Sequence, residues 1–322
     1  MRTIALEEHF ATPAFMDGPG RKLKERADQA GGGFANLLAA LVDIGDGRIA
    51  AMDSAGVDMQ ALSLTAPGVE QLEREEAKEV ARETNAALAE AVKRHPARFF
   101  GLASLPTGDP PAAIAELERA AGHDLRGVVV NGHHRGRYLD DRFFWPILAR
   151  AEALKFPIYL HPTQSPRPVT DAWYGGLPPM VSEMMAGAGW GWHIETALHV
   201  LRMILGGVFD AHPALQVVVG HMGETLPAMI QRVDVMAPSM TRLNKPISAY
   251  LRDNVHYTFS GFNFLPSFLE LLLQVGVERI MFSADHPYQP MAECRAFLDN
   301  LPVSPADRER IAHGNAERLF GV

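Results

Sequence analysis

Acidic and histidine side chains end several apolar runs of this sequence. Glu7 and His9 close the first run, His161 and His221 close two later ones, and Asp285 closes the last. A carboxylate after a strand is often only a turn former or a helix N-cap. Here, however, carboxylates or imidazoles stand at the ends of four separate apolar runs. This repeated pattern indicates a metal site or an acid–base site.

The elements that must position these residues are eight apolar runs separated mostly by helical segments. The predicted strands are residues 4–10, 59–64, 99–104, 126–130, 156–160, 215–220, 255–259 and 279–284. Continuously apolar runs are typical of parallel strands that are buried on both faces. The order predicts the α/β class, as a distorted (β/α)8 TIM barrel formed by residues 1–322 as a single domain. No GxGxxG or GxxxxGK[ST] turn follows a strand, which argues against a doubly wound nucleotide-binding fold.

Two long connections are predicted as loops, after strands one and five. Residues 11–35 are rich in glycine, and residues 162–182 are rich in proline and contain Trp173 and Tyr174. Loops of this length inside a compact domain are usually functional or mobile. We expect them to cover a pocket or to build subunit contacts. A helix is predicted for residues 36–55, with two glycines as candidate break points.

The candidate residues should converge, because the C-terminal ends of all strands in a (β/α)8 barrel lie at one mouth. This holds although 278 positions separate Glu7 from Asp285. Two imidazoles with two carboxylates suit one divalent ion, Mn²⁺ or Zn²⁺, and the second carboxylate favours Mn²⁺. His161 is the preferred second imidazole. His221 is predicted to stand beside the metal, oriented by Glu224.

Other polar residues receive structural interpretations. Arg48 is either a solvated surface charge or an anion contact. The adjacent His133 and His134 would point to opposite sides of an extended chain and are assigned to a polar loop. His193 and His199 are six positions apart in a predicted helix, so they do not share a helix face and are interpreted as structural. Cys294 is expected at a surface or helix position and is not expected to be a nucleophile, because no base lies beside it.

Composition narrows the function classes. Hydrophobic residues make up 47% of the chain, which is enough for a sizeable core. The net charge is −8 and there is no basic stripe, which argues against nucleic acid or anionic membranes as partners. With a single cysteine no intrachain disulfide can form, so a cytoplasmic location is expected. The N-terminal run is interrupted by two acids, unlike a secretory signal. No run of about 18 uncharged apolar residues predicts a membrane span.

Four motifs carry a family resemblance. They are Glu7-x-His9, Tyr159-Leu160-His161-Pro162, Gly220-His221-Met222-Gly223-Glu224-x-Leu226-Pro227 and Phe282-Ser283-x-Asp285-x-Pro287. Together they resemble the amidohydrolase superfamily, in its branch of nonoxidative aromatic-acid decarboxylases. Most hydrolases of the superfamily open with His-x-His, whereas Glu-x-His resembles the decarboxylases. Asn131, the segment 136–140 and Pro287-Tyr288-Gln289 look most similar to 5-carboxyvanillate decarboxylase.

The resemblance implies roles for individual residues. The implied metal ligands are Glu7, His9, His161 and Asp285. The implied substrate contacts are Arg232, Arg48 and Tyr288, with His221 and Glu224 supporting the acid. Asn131 and His286 are further predicted substrate contacts. One position departs from the family pattern, because His286 stands where the relatives usually carry a large aromatic residue. His286 could change the packing against the substrate ring or add a proton donor.

The resulting hypothesis is a metal-dependent decarboxylase of an ortho-hydroxylated aromatic carboxylic acid. Asp285 would protonate the ring carbon before CO₂ leaves, because direct loss of CO₂ would produce an unstable aryl carbanion. One alternative is a lactonase or amidohydrolase that uses metal-bound hydroxide. Another is a barrel without enzymatic activity. By analogy with the family, we expect a homodimer or a homotetramer.

Overall fold

Eight parallel strands form the centre of the molecule. The computed structural model describes residues 1–30, 32–236 and 240–322, with the side chains of residues 26–35 outside that description. The strands are β1 Ile4–Phe10, β2 Met59–Leu64, β3 Phe99–Ser104, β4 Gly127–Asn131, β5 Ile158–His161, β6 Val217–Val219, β7 Val255–Thr258 and β8 Ile280–Met281. They pair in sequence order. The Leu6 N–H donates to the Phe282 carbonyl at 3.0 Å, and Leu6 pairs with Ser283, so β8 returns to β1. This closure confirms the predicted (β/α)8 barrel.

Helices follow the strands and cover the outside of the barrel. Their bounds are α1 Pro13–Asp17, α2 Arg21–Ala30, α3 Gly32–Val42, α4 Asp46–Ala55, α5 Arg74–Arg94, α6 Pro110–Gly122, α7 Trp145–Leu154, α8 Arg167–Tyr174, α9 Pro179–Ala186, α10 Gly191–Leu205, α11 Val208–Ala211, α12 Leu226–Met236, α13 Ile247–Asp253, α14 Leu265–Val275, α15 Met291–Asp299, α16 Pro305–Glu309 and α17 Asn315–Phe320. Short 3₁₀ turns at His221–Gly223 and Val277–Arg279 and a π turn at Arg310–Gly314 complete the described elements.

The two long connections are helical rather than irregular, which corrects the prediction of loops. The connection after β1 contains α1 to α4, and the connection after β5 contains α8 to α11. Several of these helices begin with proline at the first or second position, where its missing N–H is not needed. Proline therefore marks helix starts here, although it was interpreted as a loop signal. The predicted helix 36–55 is divided at Gly45, which caps α4.

The barrel interior and its outer shell form separate apolar cores. Leu6, Phe100 and Tyr159 are among the residues that fill the interior, whereas Val217 and Val219 face the helices. This alternation is expected of strands that are covered on both sides. Cys294 is buried in α15, so the alternative of a surface position is wrong. Among the described helices, none is long and apolar enough to cross a membrane.

Candidate active site

The first strand brings two acids to different faces through a bulge. Ala5 pairs with Gln60 and Glu8 pairs with Leu62, so β1 carries one more residue than β2 between these pairs. Glu7 is the bulged residue, and its φ of 64° lies in the left-handed region, which non-glycine residues rarely occupy. The bulge directs Glu7 and His9 into the barrel mouth. Glu8 turns away and accepts the Ala284 N–H at 2.8 Å.

Glu7, His9, His161 and Asp285 lie together in the barrel mouth. One ligand atom from each of the first three lies within 4.8 Å of the others. Asp285 joins them, with its Oδ1 3.1 Å from His9 Nε2. Like Glu7, Asp285 has a φ of 64°. Strained backbone of this kind is often found at functional sites, where the surrounding structure holds it.

The donor set fits one divalent metal ion. Glu7 Oε1 and both ring nitrogens of His9 are buried and make no hydrogen bond of good geometry within the described residues, although His9 Nε2 lies 3.1 Å from Asp285 Oδ1. Such atoms need a ligand, because an unsatisfied buried polar group is destabilising. The His161 Nδ1–H donates to the Pro162 carbonyl at 2.8 Å, which leaves Nε2 with a free lone pair facing Glu7 Oε1 at 3.5 Å. A backbone acceptor that fixes the tautomer is the usual support for a metal-binding histidine.

A second cluster lies beside these residues and contains His221, Glu224 and His193. The Glu224 carboxylate is buried, with Oε1 2.7 Å from His221 Nδ1 and Oε2 2.6 Å from His193 Nδ1. His221 Nε2 faces Glu7 Oε1 at 3.8 Å. His193 Nε2 lies 2.9 Å from the Ala188 carbonyl, so both of its ring nitrogens face acceptors. The structural interpretation of His193 stays a prediction, and its contact with Glu224 adds a candidate role in orienting that carboxylate. His199 has a structural contact, because it accepts the Leu139 N–H at 3.0 Å.

Burial and charge shift the pKa values in this region. Burial raises the pKa of Glu7 and lowers that of His161 well below its usual range. Burial also acts to lower the pKa of His221, but the carboxylates of Glu224 and Glu7 outweigh it and raise that pKa to about 10. In Glu224 the effect of burial is outweighed by His221 and His193, which lower its pKa. The His221–Glu224 pair therefore favours a proton on His221.

Hydroxyl groups surround the other oxygen of Glu7. Tyr159 and Ser260 both donate to Glu7 Oε2. Thr258 Oγ1 lies 2.7 Å from the Tyr159 hydroxyl and 2.8 Å from Ser260 Oγ. Gly220 leaves the room for this contact, because a β-carbon at that position would overlap Glu7 Oε2 and Ser260 Oγ.

Two predicted substrate contacts lie outside the buried clusters. Arg48 is 2% exposed, so it is not a solvated surface charge. Its guanidinium donates to the carbonyls of Asp43, His9 and Ala40 and to Gln60 Oε1. At most one of its five N–H groups is left for a substrate, so a substrate contact of Arg48 would use a single N–H. Arg232 is exposed on α12.

The remaining predicted contacts lie near the mouth. The Tyr288 ring packs edge-on against His9 at 5.4 Å, and its hydroxyl is 2.6 Å from Thr65 Oγ1. Asn131 is fully buried and pairs in register with His161, so both side chains point to the same face. His286 and Tyr288 line a cleft of about 710 Å³ between α3, α4 and residues 286–292, outside the ring of predicted ligands. Burial lowers the pKa of His286 to about 3, so its ring is neutral at pH 7.

Sequence reasoning missed Tyr159, Ser260, Thr258 and His193. Three of these had a usable signal. Tyr159 is two positions before His161, and Ser260 is two positions after Thr258, so strand alternation places each pair on one face. His193 had none, because Glu224 lies 31 positions away in another element.

Comparison with known proteins identifies the family. The amidohydrolase family model matches residues 35–322. The chain belongs to the amidohydrolase family. Gamma-resorcylate decarboxylase of Rhodococcus jostii is 37% identical, over 98% of both chains. Among solved structures, 2,6-dihydroxybenzoate decarboxylase with bound 2,6-dihydroxybenzoate is 35% identical, with a TM-score of 0.90 over 100% of both chains. The 5-carboxyvanillate decarboxylase of Novosphingobium aromaticivorans, solved with manganese and a nitrobenzoic acid, is 34% identical, with a TM-score of 0.91 over 100% of this chain and 97% of the other.

These similarities confirm the prediction of a metal-dependent decarboxylase on an amidohydrolase barrel. The manganese in the 5-carboxyvanillate decarboxylase structure agrees with the predicted divalent ion, and the Glu7–His9–His161 cluster provides a site for it. The chain is thus similar to two kinds of decarboxylase, at 37% identity to a gamma-resorcylate decarboxylase and 34% to a 5-carboxyvanillate decarboxylase.

Proposed function

We propose that this protein removes CO₂ from an ortho-hydroxybenzoate, with Asp285 as the acid that protonates the ring carbon. The observation that carries this proposal is the position of the Asp285 carboxylate. It lies 3.1 Å from a predicted metal ligand, His9, at the mouth of the barrel. A carboxyl group at that position can contact both the ion and a substrate placed over it.

The metal would be held by Glu7, His9, His161 and Asp285. When bound, the ion supplies positive charge that favours the ionised ortho-hydroxyl group and orients the carboxylate of the substrate. Support for this ligand set comes from the grouping of Glu7, His9 and His161 ligand atoms within 4.8 Å and from the 3.1 Å distance between Asp285 Oδ1 and His9 Nε2. Mn²⁺ is our preferred ion, because two carboxylates accompany the two imidazoles.

The reaction begins with transfer of a proton from Asp285 to the ring carbon that carries the carboxylate. The electron pair of the ring forms the new C–H bond, with electron density supplied by the ionised ortho-hydroxyl group. The bond to the carboxylate then breaks, its electron pair restores the aromatic ring, and CO₂ leaves. His221, supported by Glu224, holds the proton that returns Asp285 to its acid form.

The proposed substrate contacts are Arg232, Arg48 and Tyr288, which the family implies, together with Asn131 and His286. Tyr288 is supported by its packing against His9 and Asn131 by its register with His161. We also propose self-association as a homodimer or homotetramer. Large apolar side chains are exposed on α8 and α9, namely Trp173, Met180, Val181 and Met184. Exposed apolar surface of this kind is a common feature of subunit contacts.

Replacement of Asp285 by asparagine tests the proposed acid. The Asp285→Asn variant should retain most of its bound metal, because the amide oxygen can still act as a ligand. Its turnover should fall by at least about 10²- to 10⁴-fold, the range attributed to general acid catalysis. The assay is CO₂ release from 2,6-dihydroxybenzoate, 5-carboxyvanillate and other ortho-hydroxybenzoates, with Mn²⁺ and Zn²⁺ compared and a lactone as a hydrolase control. Full activity of the variant would exclude Asp285 as the acid.

A further inference from the structure

The two oxygens of the Glu7 carboxylate have different surroundings. Oε2 accepts hydrogen bonds from the hydroxyl groups of Tyr159 and Ser260, both of which are buried. Oε1 has no hydrogen-bond partner among the described residues. It faces His161 Nε2 at 3.5 Å and His221 Nε2 at 3.8 Å, on the side where the metal would be held.

Both lone pairs of Glu7 Oε2 accept hydrogen bonds from hydroxyl groups. Each hydroxyl group has one proton, and the ionised carboxylate can only accept. Tyr159 and Ser260 both donate to Oε2, which fills its two lone pairs. Thr258, located between the two hydroxyl oxygens, then donates to one of them. The Ser260 N–H donates to Ser283 Oγ at 2.5 Å. This hydrogen bond links Ser260 to the segment that follows β8.

The space around Oε2 is also closed. Gly220 lies against Glu7 Oε2 and Ser260 Oγ, where a β-carbon would overlap both atoms. Glu7 therefore cannot rotate its second oxygen toward the metal without breaking two buried hydrogen bonds. Breaking a hydrogen bond so that a buried donor is left unsatisfied is strongly unfavourable.

We propose that Tyr159 and Ser260 are positioning residues that restrict Glu7 to a single ligand oxygen on the divalent ion. A carboxylate that binds through one oxygen occupies one coordination position rather than two. The position left open is then available to a second oxygen of an ortho-hydroxybenzoate, which has adjacent carboxylate and hydroxyl oxygens. This proposal rests on the proposed function for the identity of the substrate, but its central claim concerns metal binding alone.

The test compares Mn²⁺ binding in three variants of the full chain. Tyr159→Phe and Ser260→Ala each remove one donor to Oε2. Tyr257→Phe is the matched control, because Tyr257 is also a buried barrel tyrosine but donates to the Leu251 carbonyl at 2.9 Å. The free-Mn²⁺ electron paramagnetic resonance signal gives the dissociation constant. Water-proton relaxation of the loaded protein gives the number of exchangeable waters on the ion.

We expect the Mn²⁺ dissociation constant to rise about 10- to 100-fold in Tyr159→Phe and Ser260→Ala, as is typical when a partner of a metal ligand is removed. The number of exchangeable waters should fall by about one, because the released oxygen takes a place on a six-coordinate ion. Tyr257→Phe should match the wild type in both quantities.

An unchanged number of waters in both Tyr159→Phe and Ser260→Ala would overturn the proposal, whatever happens to the dissociation constant. The two variants remove different side chains, so a failure of one to fold leaves the other as a test. None of these measurements uses turnover. A wild-type protein that releases no CO₂ would thus contradict the proposed function while the water count still decides the role of Tyr159 and Ser260.

Discussion

His193 Nδ1 lies 2.6 Å from Glu224 Oε2, and His221 Nδ1 lies 2.7 Å from the other oxygen of the same carboxylate. Glu224 therefore bridges two imidazoles, of which only His221 faces Glu7. Its orientation is fixed from both sides. His193 makes no described hydrogen bond to the predicted ligands, but it orients Glu224 and its ring packs against His221 at 4.8 Å.

Removing His193 should impair turnover through the position and basicity of Glu224. In His193→Ala, kcat should fall about 10- to 100-fold, as is typical when a residue that orients a functional side chain, here Glu224, is removed. KM should change little, because His193 is not a proposed substrate contact. His199→Ala is the control from the same helix. It leaves the buried Leu139 N–H without its acceptor and should destabilise the fold by about 1–3 kcal/mol while kcat stays near that of the wild type. Equal losses of kcat in both variants would contradict a specific role for His193.

Gly220 should tolerate no side chain. Its φ of −82° is accessible to any residue, so only the space beside Glu7 requires glycine. In Gly220→Ala the added carbon should displace Glu7, reduce the bound metal and destabilise the protein by about 1–3 kcal/mol, the range for an overpacked core. Metal content and denaturant unfolding measure the two effects. Gly122→Ala is a suitable control, because a β-carbon there meets nothing within 4 Å. Wild-type metal content in Gly220→Ala would show that Glu7 can move freely.

Glu70 should make stability depend on pH. Burial raises the pKa of this carboxyl group from 4.5 to about 7. The folded state therefore binds the Glu70 proton more tightly than the unfolded state does. The resulting contribution to the free energy of unfolding is complete below pH 4.5 and is lost as the pH rises through 7. The loss amounts to about 3 kcal/mol. In Glu70→Gln this loss is absent, so the variant should gain stability relative to the wild type between pH 5 and pH 8.

Urea unfolding at pH 5 and pH 8 measures the stability of Glu70→Gln relative to the wild type. Glu90→Gln, at an exposed position of α5, serves as its control. The same relative stability of Glu70→Gln at both pH values would show that Glu70 titrates normally in the folded protein.

Removal of the metal should destabilise the folded protein without unfolding it. The large hydrophobic clusters inside and outside the barrel pack without the predicted ligands as members, so chelator treatment should preserve the circular dichroism spectrum. Added Mn²⁺ should then raise Tm, since an ion present at 100 times its Kd stabilises the folded state by about 2.7 kcal/mol. Glu7→Gln should respond much more weakly. A Tm that rises equally in Glu7→Gln would place the ion elsewhere.

The parts of the site that follow from strand periodicity could be predicted from the sequence. Glu7, His9, His161 and Asp285 each end an apolar run, and the geometry of a closed barrel brings such ends together. Arg48 could not be assigned in this way, because its acceptors are backbone carbonyls from three separate positions. The bulge at Glu7 was equally hidden, since it depends on how β1 pairs with β2. The helices after β1 and β5 were missed because their starting prolines resemble loop signals.

The contact between Leu6 and the segment at Phe282 and Ser283 has a consequence for synthesis of the chain. Glu7 and Asp285 are 278 positions apart, so at 5–20 residues per second the ribosome adds Asp285 about 15–55 s after Glu7. During that interval the growing chain lacks Asp285, which is one of the proposed ligands, and the strand that closes the barrel. High-affinity uptake of the ion should therefore begin only when the last strand has been made. A chain that lacks β8 and Asp285 should therefore bind the proposed ion more weakly than one that contains them.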